Sequence, residues 1–177
     1  MRLTASGVGD LLGKYTALAD WKITNILDGE YICDRICEME YDALDKLKES
    51  LDGLSNRDIN AYEELMYGLL LSGLAMQMTG HSRPASGAEH HMAHFWEMAV
   101  INDEIDAYHG EKVGVGLIQV SDIYHEAVKY LKEGNFKVKG HVDIETDLIE
   151  KTFTNKELCE SIKKTNDPNL LDLIDPK

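Results

Sequence analysis

The sequence predicts an all-α protein, a helical bundle forming one domain over residues 1–177. Three observations predict it. Apolar residues recur with a 3.6-residue period over several long segments. Prolines occur only at 84, 168 and 176, so long tracts are free of helix breakers. No stretch of useful length alternates apolar and polar residues as a half-buried strand does, and there is no internal repeat or low-complexity tract. The length of 177 residues suits one compact domain, alone or cut from a larger protein. A hydrophobic share of 44% is enough for a real core, which argues against disorder.

The elements follow in order. Residues 4–26 carry Val8, Leu11, Leu12, Tyr15, Leu18, Ala19 and Ile23, the stripe of an amphipathic helix. Residues 33–52 repeat it through Ile36, Met39, Leu44, Leu47 and Leu51. "DGLSNRD" breaks that pattern, and Ser55 with Asp58 resembles an N-terminal capping signal. The helix that follows, through Met78, is apolar on most sides and is expected at the centre of the bundle. "TGHSRPASG" is a loop. Ser86 and Glu89 have the spacing of a capping box, so a helix is expected from Gly87 to about Ile101. After the turn "NDEIDAYHGEK", a helix is expected from about Glu111 to Lys132. "EGNFKVKG" closes it. The tail, 143–177, offers peripheral helices around Leu148 and Leu158 and a loosely ordered "NDPNLLDLIDPK".

Composition removes several function classes. A formal net charge of −14 argues against nucleic acid and anionic membranes as partners, since phosphate neutralisation needs surplus Lys and Arg. No segment approaches the roughly 18–20 apolar residues of a transmembrane helix. Three cysteines without a signal peptide argue against a disulfide framework, and a cytoplasmic protein is expected. Cys33 and Cys37, four residues apart, form either a metal or redox pair or two small apolar core residues.

The chemistry gathers in "HSRPASGAEHHMAHFWE", residues 81–97, which holds four of the seven histidines. His90 and His94 are i, i+4 on the expected helix, one above the other on one face, with His91 pointing elsewhere. "YHGEKVGVG" puts His109 just before a helix, and "SGVGDLLGKY" puts Asp10 in a glycine-containing turn of the first helix. Imidazole and carboxylate together suit a divalent first-row metal, and three protein ligands leave open positions for substrate and water. There is no P-loop and no dinucleotide fingerprint; the Gly-Val-Gly at 114–116 lies inside an expected helix, not after a strand.

In that order, "ASGVGDLLGKYTALADWKI", "SRPASGAEHHMAHFWEM" and "HGEKVGVGLI" resemble the metal-binding half of the iron-containing alcohol dehydrogenase and dehydroquinate synthase superfamily. The "SRPASGAEHH" run resembles the sn-glycerol-1-phosphate dehydrogenases in particular. The resemblance covers roughly the first 120 residues. It implies a two-domain enzyme in which a Rossmann-like domain binds NAD or NADP and a helical domain binds the metal. Only the helical half is matched, with no cofactor-binding residue for the nucleotide in this chain. The implied origin is a domain fragment, a split gene product or a truncated reading frame. The missing domain is then supplied in cis or in trans, and the isolated chain is expected to lack turnover.

Carried over by residue, the resemblance makes Asp10, His90 and His109 the ligands of a divalent Zn, Ni or Fe ion. His94 becomes the catalytic group near the substrate hydroxyls, which helps relay a proton. Asp10, His94, Arg83 and Lys14 are the implied contacts of a small phosphate substrate, glycerol 1-phosphate. Its C2 hydroxyl loses a proton at the metal and its C2 hydride passes to the nicotinamide.

Other readings stay beside these. Arg83 and Lys14 could equally form structural salt bridges. His91 could support a ligand or simply pack, and Glu111 could orient His109 or favour a helix N-terminus. Phe95 and Trp96 read as core or interface anchors. His81, His125 and His141 have no partner pattern. For the whole chain the other readings are a non-catalytic helical interaction module that self-associates, and a dehydrogenase domain for a related polyol such as glycerol. A helical phosphohydrolase is disfavoured because the sequence has no adjacent His-Asp pair.

Overall fold

The computed structural model describes residues 1–98, 105–134 and 145–165. Among them are eight helices and no strand: α1 (Arg2–Leu12), α2 (Lys14–Asp28), α3 (Asp34–Ser55), α4 (Ile59–Thr79), α5 (Ala88–Glu97), α6 (His109–Glu133), α7 (Thr146–Thr152) and α8 (Lys156–Thr165). The all-α expectation is met.

The single helix expected over 4–26 is two helices. They join at Gly13, a weak helix former, whose backbone stays right-handed with φ −55° and ψ −23°. Backbone hydrogen bonds still run across the joint, from Gly13 N to Gly9 O and from Ala17 N to Gly13 O. Asp58 alone caps α4, accepting from Asn60 N at 3.0 Å; Ser55 is the last residue of α3 and donates back to Leu51 O. A left-handed glycine, Gly80 at φ 73°, ends α4.

α3 and α4 pack along each other, α1 lies on α6 and α4, and α5 packs on α6 and α2. The core between them is built from Leu11, Leu18, Trp21, Ile36, Leu44, Leu47, Leu54 and Leu65, with Cys33 and Cys37 against its edge. Each such side chain stabilises the fold by about 1.5–3 kcal/mol relative to exposure. The Trp21 indole donates to Tyr31 O at 2.9 Å, so its buried N–H has a partner. Cys33 and Cys37 are partly buried against the core, in keeping with their apolar reading.

α4 departs from expectation. Its inward stripe is Ala61, Leu65, Gly68, Ser72 and Ala75. Its outward stripe, Met66, Leu70, Leu74 and Met78, is 53–63% exposed. The helix is apolar on most sides, but it lines one side of the bundle rather than its centre. Small inward residues are what let α1 and α3 approach it closely. Phe95 likewise is 46% exposed and not a core anchor.

α7 and α8 pack mainly on one another, at the expected positions. The expected loose end from 166, His141, and the last residues of the helix expected from Gly87 to Ile101 fall outside the described residues. No described helix is long and apolar enough to cross a membrane.

Candidate metal and substrate site

The site forms where α1 crosses α6. A Cβ on Gly110 would stand 1.9 Å from Ser6 O, and one on Gly9 would stand 2.3 Å from Gly110 O. Only glycines permit so close a backbone approach, and it brings Asp10 of α1 beside His109, the first residue of α6. α5 joins them because its N-terminus is anchored from α2: Asp20 accepts from Ala88 N at 2.6 Å, and Tyr124 of α6 donates to the other Asp20 oxygen. Gly87 must be glycine there, since a Cβ would meet Asp20 Oδ2 at 2.4 Å. The cap of α5 is therefore tertiary. Of the expected capping box only one half forms, displaced by one residue, with Glu89 accepting from Gly87 N at 2.8 Å.

Asp10, Lys14, His90, His94 and His109 line one cavity of about 440 Å³, together with Ser72, Ser82 and Ser86. His91, expected to point elsewhere, also lines it. The imidazoles of His90, His94 and His109 form a triangle with ring centres 5.2–6.1 Å apart. His90 Nε2 lies 3.4 Å from Asp10 Oδ1. Two ligands about 2.1 Å from one tetrahedral ion stand roughly 3.4 Å apart, so this pair fits a metal edge. Asp10 and His109 also border a second, largely apolar cavity of about 470 Å³ beside Leu3, Tyr62 and Leu65.

Electrostatics define which atoms are available. Glu89 is fully buried. It accepts from Thr16 Oγ1 at 2.6 Å and meets His90 Nδ1 at 2.7 Å. Burial alone would raise its carboxyl, but the His90, Thr16 and Gly87 hydrogen bonds outweigh that and hold it below the ordinary glutamate value. A charged carboxylate there keeps a proton on His90 Nδ1, so Nε2 is the ring nitrogen that faces Asp10 and the cavity. His90 is raised in turn: burial opposes its charge, and Asp10 and Glu89 more than offset that. Asp10 is held well below the usual carboxylate range, because contacts with His90 and Lys14 outweigh its burial.

His109 is oriented by Glu97, not by Glu111. Its Nδ1 lies 3.0 Å from Glu97 Oε1, and His94 Nδ1 lies 3.3 Å from Glu97 Oε2. Glu97 is depressed despite some desolvation, through His109 and Lys112. Glu111 instead accepts from Tyr108 N at 2.8 Å and from Arg2 Nε at 2.7 Å, so it fastens the start of α6 to α1. Among the described residues, the group with donor atoms all within 4.8 Å of one another is His94, Glu97 and His109. It shares only His109 with the expected ligand set, because His109 is turned toward Glu97.

Two expected substrate contacts separate. Lys14 is 3% exposed, lines the cavity, and binds Asp10 Oδ1 at 2.6 Å. Arg83 is outside that lining and grips Glu30 with two nitrogens, at 3.0 and 2.9 Å. Its structural reading is the one the geometry favours: it pins the Ser-Arg-Pro loop to the end of α2.

Sequence reasoning missed Glu97 as an orienting group, although its i, i+3 relation to His94 was available. It saw Glu89 only as a capping residue. Adjacent residues on a helix diverge, so spacing gave no hint that Glu89 holds its own neighbour.

No family model matches the chain. Relatives are found among curated proteins. A glycerol-1-phosphate dehydrogenase named for NAD(P)+, from Bacillus licheniformis, is 42% identical over 127 residues, covering 71% of this chain and 32% of that protein. One from Geobacillus stearothermophilus is 37% identical over 163 residues, 90% of this chain and 40% of the relative. An archaeal one, from Pyrococcus furiosus, is 31% identical over 137 residues, 77% and 39% respectively. The chain spans 32–40% of the length of these relatives and matches their C-terminal region.

Proposed function

We propose, with homology to the C-terminal region of glycerol-1-phosphate dehydrogenases as the premise, that this chain is the metal- and substrate-binding part of such an enzyme. The reaction is the NAD(P)-dependent interconversion of glycerol 1-phosphate and dihydroxyacetone phosphate, in the cytoplasm. The nucleotide is held mainly by a Rossmann-like domain supplied in cis or in trans. The observation that carries the reading is the convergence of Asp10, His90, His94 and His109, from three helices, on one cavity.

Asp10, His90 and His109 would hold the ion, and their nitrogen and oxygen donors accept Zn²⁺, Ni²⁺ or Fe²⁺. When bound, such an ion supplies Lewis-acid polarisation of the C2 oxygen. The chain's own residues do the rest. Glu89 fixes the His90 ring, and Glu97 does the same for His109. His94 is 55% exposed on its side chain, so it can pass the hydroxyl proton from the cavity toward water. Lys14, buried at the cavity wall, offers positive charge to an anionic substrate.

The test is metal content. The purified chain should retain one divalent ion, and His90→Ala with His109→Ala should lose it. Equal stoichiometry in the two proteins would sink the site assignment. Adding a coenzyme domain from a relative should then restore dihydroxyacetone phosphate reduction. The outward stripe of α4 favours a second reading, a self-associating helical module. Failure to restore activity with both parts folded would favour that module.

A further inference from the structure

Near Lys14 and Ser72 of the cavity wall lies a group that neither the metal nor the substrate reading uses. Glu40 of α3 is 0% exposed, and neither carboxylate oxygen has a hydrogen bond. Buried polar groups without partners are rare, and a carboxylate is the costliest of them. Its polar surroundings are the Lys14 ammonium and the Ser72 hydroxyl, both buried and both at the cavity wall.

Lys14 has the complementary difficulty. Its ammonium sits on Asp10 Oδ1, the oxygen that lies 3.4 Å from His90 Nε2 and faces the expected ion. A divalent cation and an ammonium on that one half-buried oxygen repel each other. Lys14 cannot retreat into water, being 4% exposed on its side chain. With a metal bound and no anionic substrate yet in the cavity, it needs another anion. Glu89 is engaged by Thr16, Gly87 and His90. Glu40 is buried, uncommitted and within electrostatic reach.

Resting on the metal reading above, we infer that Lys14 and Glu40 form a counter-ion exchange. When a divalent cation takes Asp10, the Lys14 ammonium moves its ion pair from Asp10 to the buried Glu40 carboxylate. Glu40 is thus a positioning residue: it fixes Lys14 at the cavity wall in the loaded state and makes Asp10 available to the ion. Burial pushes the Glu40 carboxyl up to about 7, with Lys14 and Ser72 pulling the other way, so an approaching ammonium meets an acid ready to ionise.

The experiment is a double-mutant cycle on Zn²⁺ affinity, measured by chelator competition at pH 7.5. It uses the unsubstituted protein, Glu40→Gln, Lys14→Met and the double variant. Glu40→Gln should weaken Zn²⁺ binding at least roughly tenfold while Lys14 is present, because the displaced ammonium is left buried and unpaired. In the Lys14→Met background the same substitution should change nothing. Equal loss in both backgrounds would mean that Glu40 attracts the ion directly, and this overturns the exchange. Unchanged affinity in Glu40→Gln also overturns it, while leaving the metal reading intact. No Zn²⁺ binding by the unsubstituted protein overturns the metal reading and the exchange together. A Zn²⁺-loaded crystal structure of the unsubstituted protein gives a check that depends on no variant: Lys14 Nζ should lie on Glu40, and finding it still on Asp10 Oδ1 refutes the exchange.

Discussion

At the residue scale, Glu40 gives the metal-free protein a definite pH signature. Its carboxyl is raised by burial from 4.5 to about 7. Below pH 4.5 the group is neutral folded or unfolded and contributes no pH dependence. Between about 4.5 and 7 the unfolded chain releases the proton and the folded chain keeps it, so stability falls as pH rises. The whole effect is about 3 kcal/mol and is complete above the folded value. Glu40→Gln should match the parent at pH 4 and exceed it by about 3 kcal/mol at pH 8. Urea unfolding at the two pH values checks this. A variant that stabilises the empty protein yet weakens Zn²⁺ binding separates a functional placement from a merely structural one.

At the scale of the element, α5 shows how a helix can be positioned by its neighbours. It is only ten residues long and lacks a side-chain cap of its own. Asp20, 68 residues away in sequence, supplies the cap, and Tyr124 holds Asp20 in turn. Asp20→Ala should lower the thermal midpoint, with a loss of about 1–2 kcal/mol from the cap. Because α5 carries His90 and His94, the same change should broaden the NMR signals of both rings. Ser86→Ala should do neither, since Ser86 does not cap the helix. The capping-box spacing of Ser86 and Glu89 located the start of α5 to within a residue. It misidentified the cap because a partner from another helix leaves no local pattern.

At the scale of the molecule, one helix crossing assembles the site. Asp10 and His109 are far apart in sequence, and the Gly9–Gly110 approach is what brings α1 and α6 together. Gly110→Ala would set a methyl 1.9 Å from Ser6 O. The helices must separate, at about 1–3 kcal/mol or more. The consequence for the site should exceed that for the fold: the protein should stay helical by circular dichroism while Zn²⁺ affinity drops. Retained affinity with an intact fold would show that the crossing does not set the ligand geometry. Arg2, bound to Glu111, ties the same two helices from the outside.

By itself the sequence determined the helical class, the order of the elements apart from the break at Gly13, and four of the residues that meet at the cavity. Periodicity and glycine placement are local, so Asp10, His90, His94 and His109 could be singled out along the chain. Only the tertiary structure decided what surrounds them. Glu89, Glu97 and Glu40 read as ordinary acidic residues on helices, and their roles come from burial and from partners on other elements. Arg83 suits a phosphate contact and a structural salt bridge equally by sequence, and its ion pair with Glu30 favours the second. The outward face of α4 read as core, since apolarity along a helix says that a face suits burial but not whether anything in the chain covers it. The physical reason is common to all of these. A side chain's charge, tautomer and exposure depend on atoms brought near by folding, and spacing along one helix carries no record of them.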